Sequence, residues 1–423
     1  MAYDVAVSLS QGELNLGSAA VWGKLHPLGK VFTGSGTVDR NGIRIAVSYD
    51  ATQPPVFDLA PPAQRAALFA GATLDSAEDA DADAQALIAY AASIAPVFSV
   101  RFPAFRFSFN DGTDPPTPLT TDITVACAVT ATNGTVAFQA LSATAPKQPT
   151  VGAQFIVDNF VLPAVLSAAR SLFKGLAIPP LSVPGVSLTA PVITIAHQRL
   201  FVAALLAGRG VPSIPAGGLD GPDAPFVMYL TQNAMQAAAS HALGESGQFN
   251  RSDEKGDSAF NAHYHFSFRL VDPRVTLRGT QLDVSFSLTG SIGAGVTVFF
   301  VDIGLGYDAQ AVPDPGATCS IVPTSDGLHI VETSLKPFTL VVIPSGSIPT
   351  KVLSWMTEFI VEGIVGSLTP LITVFLKGID FTTLQVPSFT ESIDGVAITM
   401  TPVNLKVGSA AGAIALSGQL RFN

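Results

Sequence analysis

The stretch PTVGAQFIVDNFVLPAVLSAARSLFKG at Pro149–Gly175 predicts a long apolar helix. Proline is tolerated in the first turn of a helix, Thr150 can cap its amino end, and the closing Lys-Gly is a typical helix stop. The chain repeats this design as PTKVLSWMTEFIVEGIVGSLTPLITVFLKG at Pro349–Gly378, again with Phe-Ile-Val-acid in its centre. Pro163 and Pro370 lie inside the two segments and are expected to kink them. The repeated design points to two copies of one unit.

The similarity extends beyond the two predicted helices. A Leu-x-Val-Pro motif begins six residues after each segment, at Leu181 and at Leu384. Upstream, AVSLSQGEL at Ala6–Leu14 corresponds to VMYLTQNAM at Val227–Met235, each a short strand followed by a hydroxyl residue, a glutamine and a helix. In the first of these, Ser10 and the glutamate three residues later fit a capping box. Several matches in the same order indicate an internal duplication.

The domain organisation follows from these matches. We predict an α+β fold with two tandem pseudo-repeats, residues 1–206 and residues 226–423. A Gly/Pro-rich linker at 207–225 joins them. The first repeat carries an acidic, Ala-rich insert at about residues 63–95, which we interpret as a solvated surface in preference to an acidic binding tail.

Composition favours strands and excludes one class of partner. Of the 423 residues, 48% are apolar and only 13% are charged, and the mean hydropathy is +0.42. Strand-forming Val, Ile, Thr and Phe recur between 37 glycines and 31 prolines, which is typical of a turn-rich, strand-rich chain. The net charge is −10, and no cluster of Lys and Arg is present to follow a phosphate backbone, so we expect no nucleic-acid partner.

Cysteine content and the amino-terminal sequence bear on the cellular compartment. Cys127 and Cys319 are compatible either with one disulfide or with two reduced thiols. The opening MAYDVAVSLSQGELN has neither the basic nor the apolar region of a secretory signal. We therefore expect a cytoplasmic protein, with non-classical export as the alternative.

A search for catalytic motifs favours a protein that is not an enzyme. Gly244–Gln248 lacks the last glycine of a nucleophile elbow, and the GSGT at Gly34–Thr37 has no further glycine to build a dinucleotide loop. His263 and His265 share one face of a predicted strand and could in principle chelate a metal ion. Alternation with Tyr264 and two phenylalanines favours a solvent-facing histidine pair instead. We predict no catalytic residue, no metal site and no cofactor.

The duplicated unit resembles the tubular lipid-binding superfamily, which includes the bactericidal/permeability-increasing (BPI) protein. The resemblance rests on the strand running into a helix through SLSQ, on the strand-rich middle and on the long apolar helix that follows it. It is closest in character to a bacterial branch, the OrfX and forty-seven-kilodalton accessory proteins of clostridial neurotoxin clusters. The resemblance implies that each unit is a long helix wrapped by a strongly curved antiparallel sheet, with an apolar groove between them.

Two functions are compatible with such a scaffold. The first is binding or transfer of a lipid or fatty-acyl ligand between helix and sheet, with transient membrane contact; the alternative is a non-enzymatic accessory protein with filled interiors and a protein partner. Composition alone leaves open whether the interior holds a slot or is filled by its own side chains. The residues predicted to line the groove are Phe155, Ile156, Phe160, Leu166, Phe173, Trp355, Met356, Phe359, Ile360, Ile364, Leu368 and Phe375.

Overall fold

The computed structural model shows an α+β fold made mostly of strands, with one strongly curved half-barrel sheet and few helices. The structure describes residues 3–40, 43–59, 96–110, 118–132, 135–175, 186–246, 248–256, 260–298, 301–324, 327–344, 370, 388–410 and 412–423. The predicted second helix at 349–378 lies outside these ranges apart from Pro370, and so do the insert at 63–95 and the seven groove candidates from Trp355 to Phe375.

In its described residues, the N-terminal part of the chain, up to residue 206, contains nine strands and three helices. A short 3-10 turn, His26–Leu28, follows the first helix, and a π-helical turn, Val157–Val161, joins the other two. The elements are β1 (Val5–Ser10), α1 (Gln11–Leu25), β2 (Thr33–Arg40), β3 (Ile43–Ala51), β4 (Val56–Asp58), β5 (Val97–Asn110), β6 (Leu119–Thr132), β7 (Thr135–Thr144), α2 (Val151–Ile156), α3 (Leu162–Gly175), β8 (Val192–Ala196) and β9 (Arg199–Ala204).

The C-terminal part, from residue 226 onwards, opens as the N-terminal part does. In both parts a strand of six residues leads directly into a helix of 15 residues. The elements are β10 (Phe226–Thr231), α4 (Gln232–Ser246), β11 (Gln248–Gly256), β12 (Phe260–Arg278), β13 (Gln281–Val298), β14 (Val301–Val312), β15 (Gly316–Thr324), β16 (Gly327–Lys336), β17 (Thr339–Pro344), β18 (Phe389–Ile393), β19 (Val396–Ala410) and β20 (Ala413–Phe422).

The strands of the described ranges form three sheets, and the central one is built from both parts of the chain. Its order is β18-β19-β20-β10-β1-β9-β8. β1 lies in the middle, antiparallel to β10 on one side and to β9 on the other, so that Val5 is opposite both Leu230 and Ala204. Strands β2 to β7 form a six-stranded sheet, and β11 to β17 form a second seven-stranded sheet.

Side chains of the central sheet contribute to the cores of both parts. Val7 and Leu9 of β1 pack with the sheet of β2 to β7 and with α3, whereas Val5 packs with the sheet of β11 to β17. Ile393 and Ile398, from the last strands of the chain, are buried in the core of the N-terminal part. The two parts therefore share their packing through one sheet.

The Gly/Pro-rich segment 207–225 packs on the outer face of the central sheet. Ile214, Leu219 and Ala224 contact a cluster of small and aromatic residues from that face. The cluster consists of Tyr3, Ala6, Ala203, Val227, Tyr229, Ala410, Ala413 and Ala415. Alanine at so many of these positions allows the segment to approach closely. A segment expected from its composition to be a linker thus serves as a cover for the sheet.

The buried carboxylate of Asp4 fixes the start of this cover. One oxygen accepts hydrogen bonds from Thr231 Oγ1 and Asn233 Nδ2, both at 3.1 Å. The same oxygen lies 3.3 Å from the guanidinium of Arg209, and the other accepts from the Leu206 amide at 3.0 Å. Asp4 is 1% exposed, so each of these donors offsets part of the cost of burying its charge.

The strand alternation predicted from the sequence is confirmed in β12 and β13. Tyr264, Phe266 and Phe268 are buried in the core. In β13, Val284 and the apolar residues two and four positions after it are buried in the same way. The period-two pattern therefore reports which face of each strand meets the core.

The two cysteines lie in different cores. Cys127 on β6 is buried against α3, and Cys319 on β15 is buried in the C-terminal part. No disulfide joins them, which resolves the alternative left open by their number. Burial raises the pKa of the Cys127 thiol well above its usual value, so this side chain is protonated at neutral pH.

Candidate apolar ligand site

The long apolar helix predicted at Pro149–Gly175 is present and is interrupted by one irregular turn. Thr150 caps α2 by accepting a hydrogen bond from the Ala153 amide at 3.1 Å. The turn at Val157–Val161 is π-helical, and the Leu162 amide bonds to the Val157 carbonyl, five residues back. The side chain of Asn159 donates to the carbonyl of Phe155 at 2.8 Å. Pro163, which has no amide hydrogen to donate, directly follows this rearranged turn.

One stripe of the helix is fully buried against the curved sheet. Its members recur at spacings of one, three and four residues, as expected for a single helix face. They are Ala153, Ile156, Val157, Val161, Val165, Ala168, Ala169, Leu172 and Phe173. The sequence candidates Ile156 and Phe173 belong to this buried stripe.

Aromatic rings fill the interior at the carboxyl end of the helix. Phe173 packs against Phe57, Phe98 and Phe138, with ring centroids 6.0, 6.1 and 5.7 Å away. Two edge-to-face pairs and one tilted pair at these distances are typical of a packed protein core. The interior of the N-terminal part is therefore filled by its own side chains near Phe173.

Four other residues of the helix are apolar but only half-buried. They are Phe155, Phe160, Leu162 and Leu166, and we call them together the apolar flank. Of these, Leu162 and Leu166 are four residues apart and share one helix face. Three of the sequence candidates, Phe155, Phe160 and Leu166, belong to the apolar flank. Polar residues of the helix, such as Asp158 and Arg170, are exposed.

The apolar flank meets aromatic residues of the sheet near the π-helical turn. Phe160 lies edge-on to Tyr49 at 6.1 Å, and Tyr49 stacks on Phe105 at 5.6 Å. Gly36 of β2 lies under Phe160, where a Cβ atom would come within 2.7 Å of the ring. A Cβ atom at Gly34 would collide with Tyr49 in the same way. The GSGT motif therefore makes room for two aromatic rings, a role that its spacing alone does not predict.

Helix α1 contributes a second aromatic group at the edge of this core. The indole of Trp22 donates to the Ala51 carbonyl at 2.8 Å and stacks on His26 at 4.5 Å. His26 lies 2.6 Å from the carboxylate of Asp50. Trp22 is half-buried against the N-terminal core.

Glu13 is a buried acid, and the sequence predicted for it only a role in a capping box. Its amide donates to Ser10 Oγ at 3.1 Å, which confirms one side of that motif. The other side is absent, because the Ser10 amide bonds to the Pro225 carbonyl and the Glu13 carboxylate accepts from the Leu420 amide of β20. Burial raises the pKa of Glu13, and the bond from Leu420 opposes this effect. No local sequence signal predicts a partner so distant along the chain.

Among the described residues, no group of three or more His, Cys, Asp and Glu side chains is arranged to hold a metal ion. One helical region in the same part of the chain, Val151–Phe173, is long and apolar enough to cross a membrane, and 33% of its most apolar window is buried. Core helices of soluble proteins can be equally long and apolar, so these two properties show only that the helix is strongly apolar.

Comparison with known proteins finds similarity at the level of structure. No family model and no curated protein sequence matches the chain. The chain is similar to lipopolysaccharide binding protein, with 9% identity, 99% coverage of both chains and a TM-score of 0.33. It is similar to P47 from Clostridium botulinum A2, with 9% identity, coverage of 99% and 97%, and a TM-score of 0.40.

A second botulinum structure gives the same result. P47 of Clostridium botulinum E1 is 7% identical, with 99% coverage of both chains and a TM-score of 0.40. These matches are to the kinds of protein, BPI-like and clostridial forty-seven-kilodalton, that the sequence resembles. What this chain binds has to be inferred from its own side chains.

Proposed function

We propose that the protein binds a lipid or another apolar ligand along the apolar flank of the helix α2–α3. The observation that carries the proposal is the mismatch between composition and burial in this helix. Its most apolar window is only 33% buried, although it carries the composition of a fully buried helix. Half-buried Leu162 and Leu166 leave apolar surface that an acyl chain can cover.

The energetics favour such a ligand. Each methylene group removed from water contributes about 0.8 kcal/mol, so an alkyl chain lying along several turns of helix binds without any polar contact. The aromatic closure near Phe173 limits how far a chain can enter. We therefore place the ligand on the side of the π-helical turn, between Phe160 and Leu166.

We further propose that the chain arose by duplication, with units at residues 1–206 and 226–423. The equal lengths of β1 and β10, and of α1 and α4, support this proposal. The unit at 226–423 is then expected to bind a similar ligand next to its own long helix. In this proposal the protein is a non-catalytic carrier or sensor.

Mass spectrometry of an organic extract tests the proposal. The purified full chain, its Leu166→Gln variant and its Val151→Gln variant are extracted beside an unrelated protein from the same host. Leu166 is half-buried on the apolar flank, whereas Val151 is 76% exposed on the same helix. We expect stoichiometric lipid with the wild-type protein and with Val151→Gln, and several-fold less with Leu166→Gln.

Circular dichroism of all three proteins ensures that a loss of lipid is not a loss of fold. Equal lipid in both variants would place the ligand elsewhere. Lipid at the level of the unrelated protein in every sample, together with no binding of added acyl probes, would contradict the proposal. That result would favour an accessory protein with filled interiors.

A further inference from the structure

Each part of the chain contains a strand that lacks a strand neighbour on one side. In the C-terminal part, β12 pairs with β11 only as far as Arg269, so Leu270–Arg278 has β13 as its one strand partner in the described ranges. In the N-terminal part, β4 pairs with β5 and, among the described residues, with no other strand. Pro273 lies in the bulge of β12, and Pro55 directly precedes β4. Both strands therefore turn backbone donors and acceptors towards a free edge.

Helix α4 lies along the free edge of β12 and bonds to it through amide side chains. The Oε1 atom of Gln236 accepts from the Val275 amide at 2.7 Å, and its Nε2 atom donates to the Pro273 carbonyl. Gln232, four residues earlier, accepts from the Leu277 amide at 3.4 Å. Two side chains of α4 thus occupy backbone groups that a neighbouring strand would otherwise bond.

Helix α1 bonds to β4 in the same pattern. The Oδ1 atom of Asn15 accepts from the Phe57 amide at 2.6 Å, and its Nδ2 atom donates to the Phe57 carbonyl at 3.3 Å. Gln11 accepts from the Leu59 amide at 2.8 Å. In both helices a step of four residues corresponds to a step of two residues on the strand. The steps match because four helical residues rise about 6 Å and two strand residues about 6.6 Å.

Small side chains let α4 approach β12 closely. The helix packs against this strand, and its buried residues among those described are Ala234, Met235, Ala238 and Ala239. Alanine side chains bury little apolar area, so packing alone holds this helix weakly. The position of α4 therefore depends strongly on its two glutamines.

We propose that α4 is an edge cap, and that the edge it covers is a latent interaction surface for the same edge of a second copy of this chain. The backbone groups of Pro273, Val275 and Leu277 that bond to α4 define the register. Antiparallel pairing centred on Val275 bonds this residue to its counterpart, and the Leu277 amide of each copy donates to the Pro273 carbonyl of the other. One patch meets itself about a two-fold axis, so the contact closes as a dimer. Helix α1 is the equivalent cap of β4, over a shorter edge.

Charge favours this partner and this register. Exposed positions alternate along the edge, and pairing centred on Val275 places Asp272 of each copy opposite Arg278 of the other. The side chain of Arg278 is 72% exposed, and its Nε atom lies 2.9 Å from Asp283. A guanidinium has two further nitrogens that can donate to a second carboxylate. Two pairs of opposite charge therefore favour the dimer, whose formation does not depend on the ligand proposed above.

Sedimentation velocity of the full chain over a range of concentrations tests the proposal. Gln236→Leu removes both amide bonds to β12 and nearly keeps the size of the side chain. We expect its dimer dissociation constant to be lower than that of the wild-type protein by about 10-fold or more, as for two lost hydrogen bonds. Gln281→Leu, at an exposed glutamine of β13, adds similar apolar surface without freeing the edge and should behave as the wild-type protein does. In the Gln236→Leu protein, the further change Asp272→Asn should weaken the dimer several-fold, because each pair of opposite charges is lost.

Hydrogen exchange read by mass spectrometry reports on the cap at concentrations too low for a dimer. In Gln236→Leu the amides of Val275 and Leu277 should exchange faster, whereas the part of β12 that pairs with β11 should not change. Faster exchange without a dimer at any concentration would overturn the interaction surface, because the edge is then free and unused. Unchanged exchange would overturn the assignment of α4 as a cap held by Gln236.

Two further outcomes concern the variants themselves. A dimer of equal strength in Gln281→Leu would overturn the proposal, since added apolar surface then explains the association. If circular dichroism shows that Gln236→Leu is unfolded, Gln236→Glu takes its place. This side chain accepts from the Val275 amide but cannot donate to the Pro273 carbonyl, so the same changes are expected at a smaller size, and their absence would overturn the proposal.

Discussion

At the scale of a residue, the buried carboxyl group of Glu13 makes the stability of the fold depend on pH. Its carboxylate accepts the Leu420 amide through one oxygen, while the other is buried without a partner among the described residues. Its pKa is therefore raised above the ordinary 4.5. The folded chain binds a proton here that the unfolded chain has already released. Stability supplied by this group is fully present below about pH 4.5 and is lost as the pH rises through the raised value.

Substitution of Glu13 by glutamine tests this dependence. The amide oxygen still accepts from Leu420, and no charge has to be buried. We expect Glu13→Gln to be more stable than the wild-type protein at pH 7 to 8 and to show a flatter decline between pH 4.5 and neutrality. Chemical denaturation at a series of pH values measures both. Asp58→Asn, at an exposed carboxylate, is the control; lower stability of Glu13→Gln at neutral pH would show that the charged form is the stabilising one.

At the scale of an element, the helix α2–α3 depends on small residues of β2. Phe160 fits over Gly36 because the glycine has no side chain, and this contact lies beside the π-helical turn. The position of the helix thus depends on its buried stripe and also on the missing side chain of Gly36 on the neighbouring strand.

Two alanine substitutions with opposite signs test that dependence. Gly36→Ala should destabilise the protein by about 1 kcal/mol, because the new methyl group displaces the Phe160 ring. Gly152→Ala, on α2, meets nothing within 4 Å and should stabilise by about 0.5–1 kcal/mol, because alanine favours the helix. Chemical denaturation measures both; destabilisation of equal size in the two variants would mean that the contact with Phe160 is not responsible.

The elements also show which features local sequence can predict. Apolar periodicity and end signals predicted the helix at Pro149–Gly175, and alternation predicted the buried faces of β12 and β13, because these patterns are set by neighbours within a few residues. The aromatic closure around Phe173, the cover formed by 207–225 and the partner of Glu13 depend on contacts between distant segments. The periodicity of one segment does not indicate which distant segment packs against it. The helix itself was therefore predicted, whereas its division into a buried stripe and half-buried apolar residues was not.

At the scale of the whole molecule, the N-terminal and C-terminal parts form one packing unit. Phe226, Ile393 and Ile398 come from the C-terminal part and are buried in the N-terminal core. Lys24 and Lys30 also donate to the carbonyls of Ala397 and Asp394. An origin by duplication would therefore not imply that each part of this chain folds independently.

Expression of residues 1–206 alone tests the shared packing. Without the three C-terminal side chains its core is incomplete, and we expect no cooperative thermal transition by circular dichroism. The matched control is the full chain cut at an inserted protease site beside Val211, which is 87% exposed. The cut protein keeps every partner and should unfold as the intact one does. A cooperative transition of 1–206 at the temperature of the full chain would show that the N-terminal part folds independently.

The pairing of Glu13 with Leu420 carries a consequence for synthesis in the cell. The two residues are 407 positions apart, and a ribosome adding 5–20 residues per second needs roughly 20 to 80 s between them. During that interval the nascent chain has made β1 and α1 but not β20, so the apolar surface that β20 covers is exposed to solvent. Demand for chaperones should therefore be concentrated on the unfinished chain and end soon after its release.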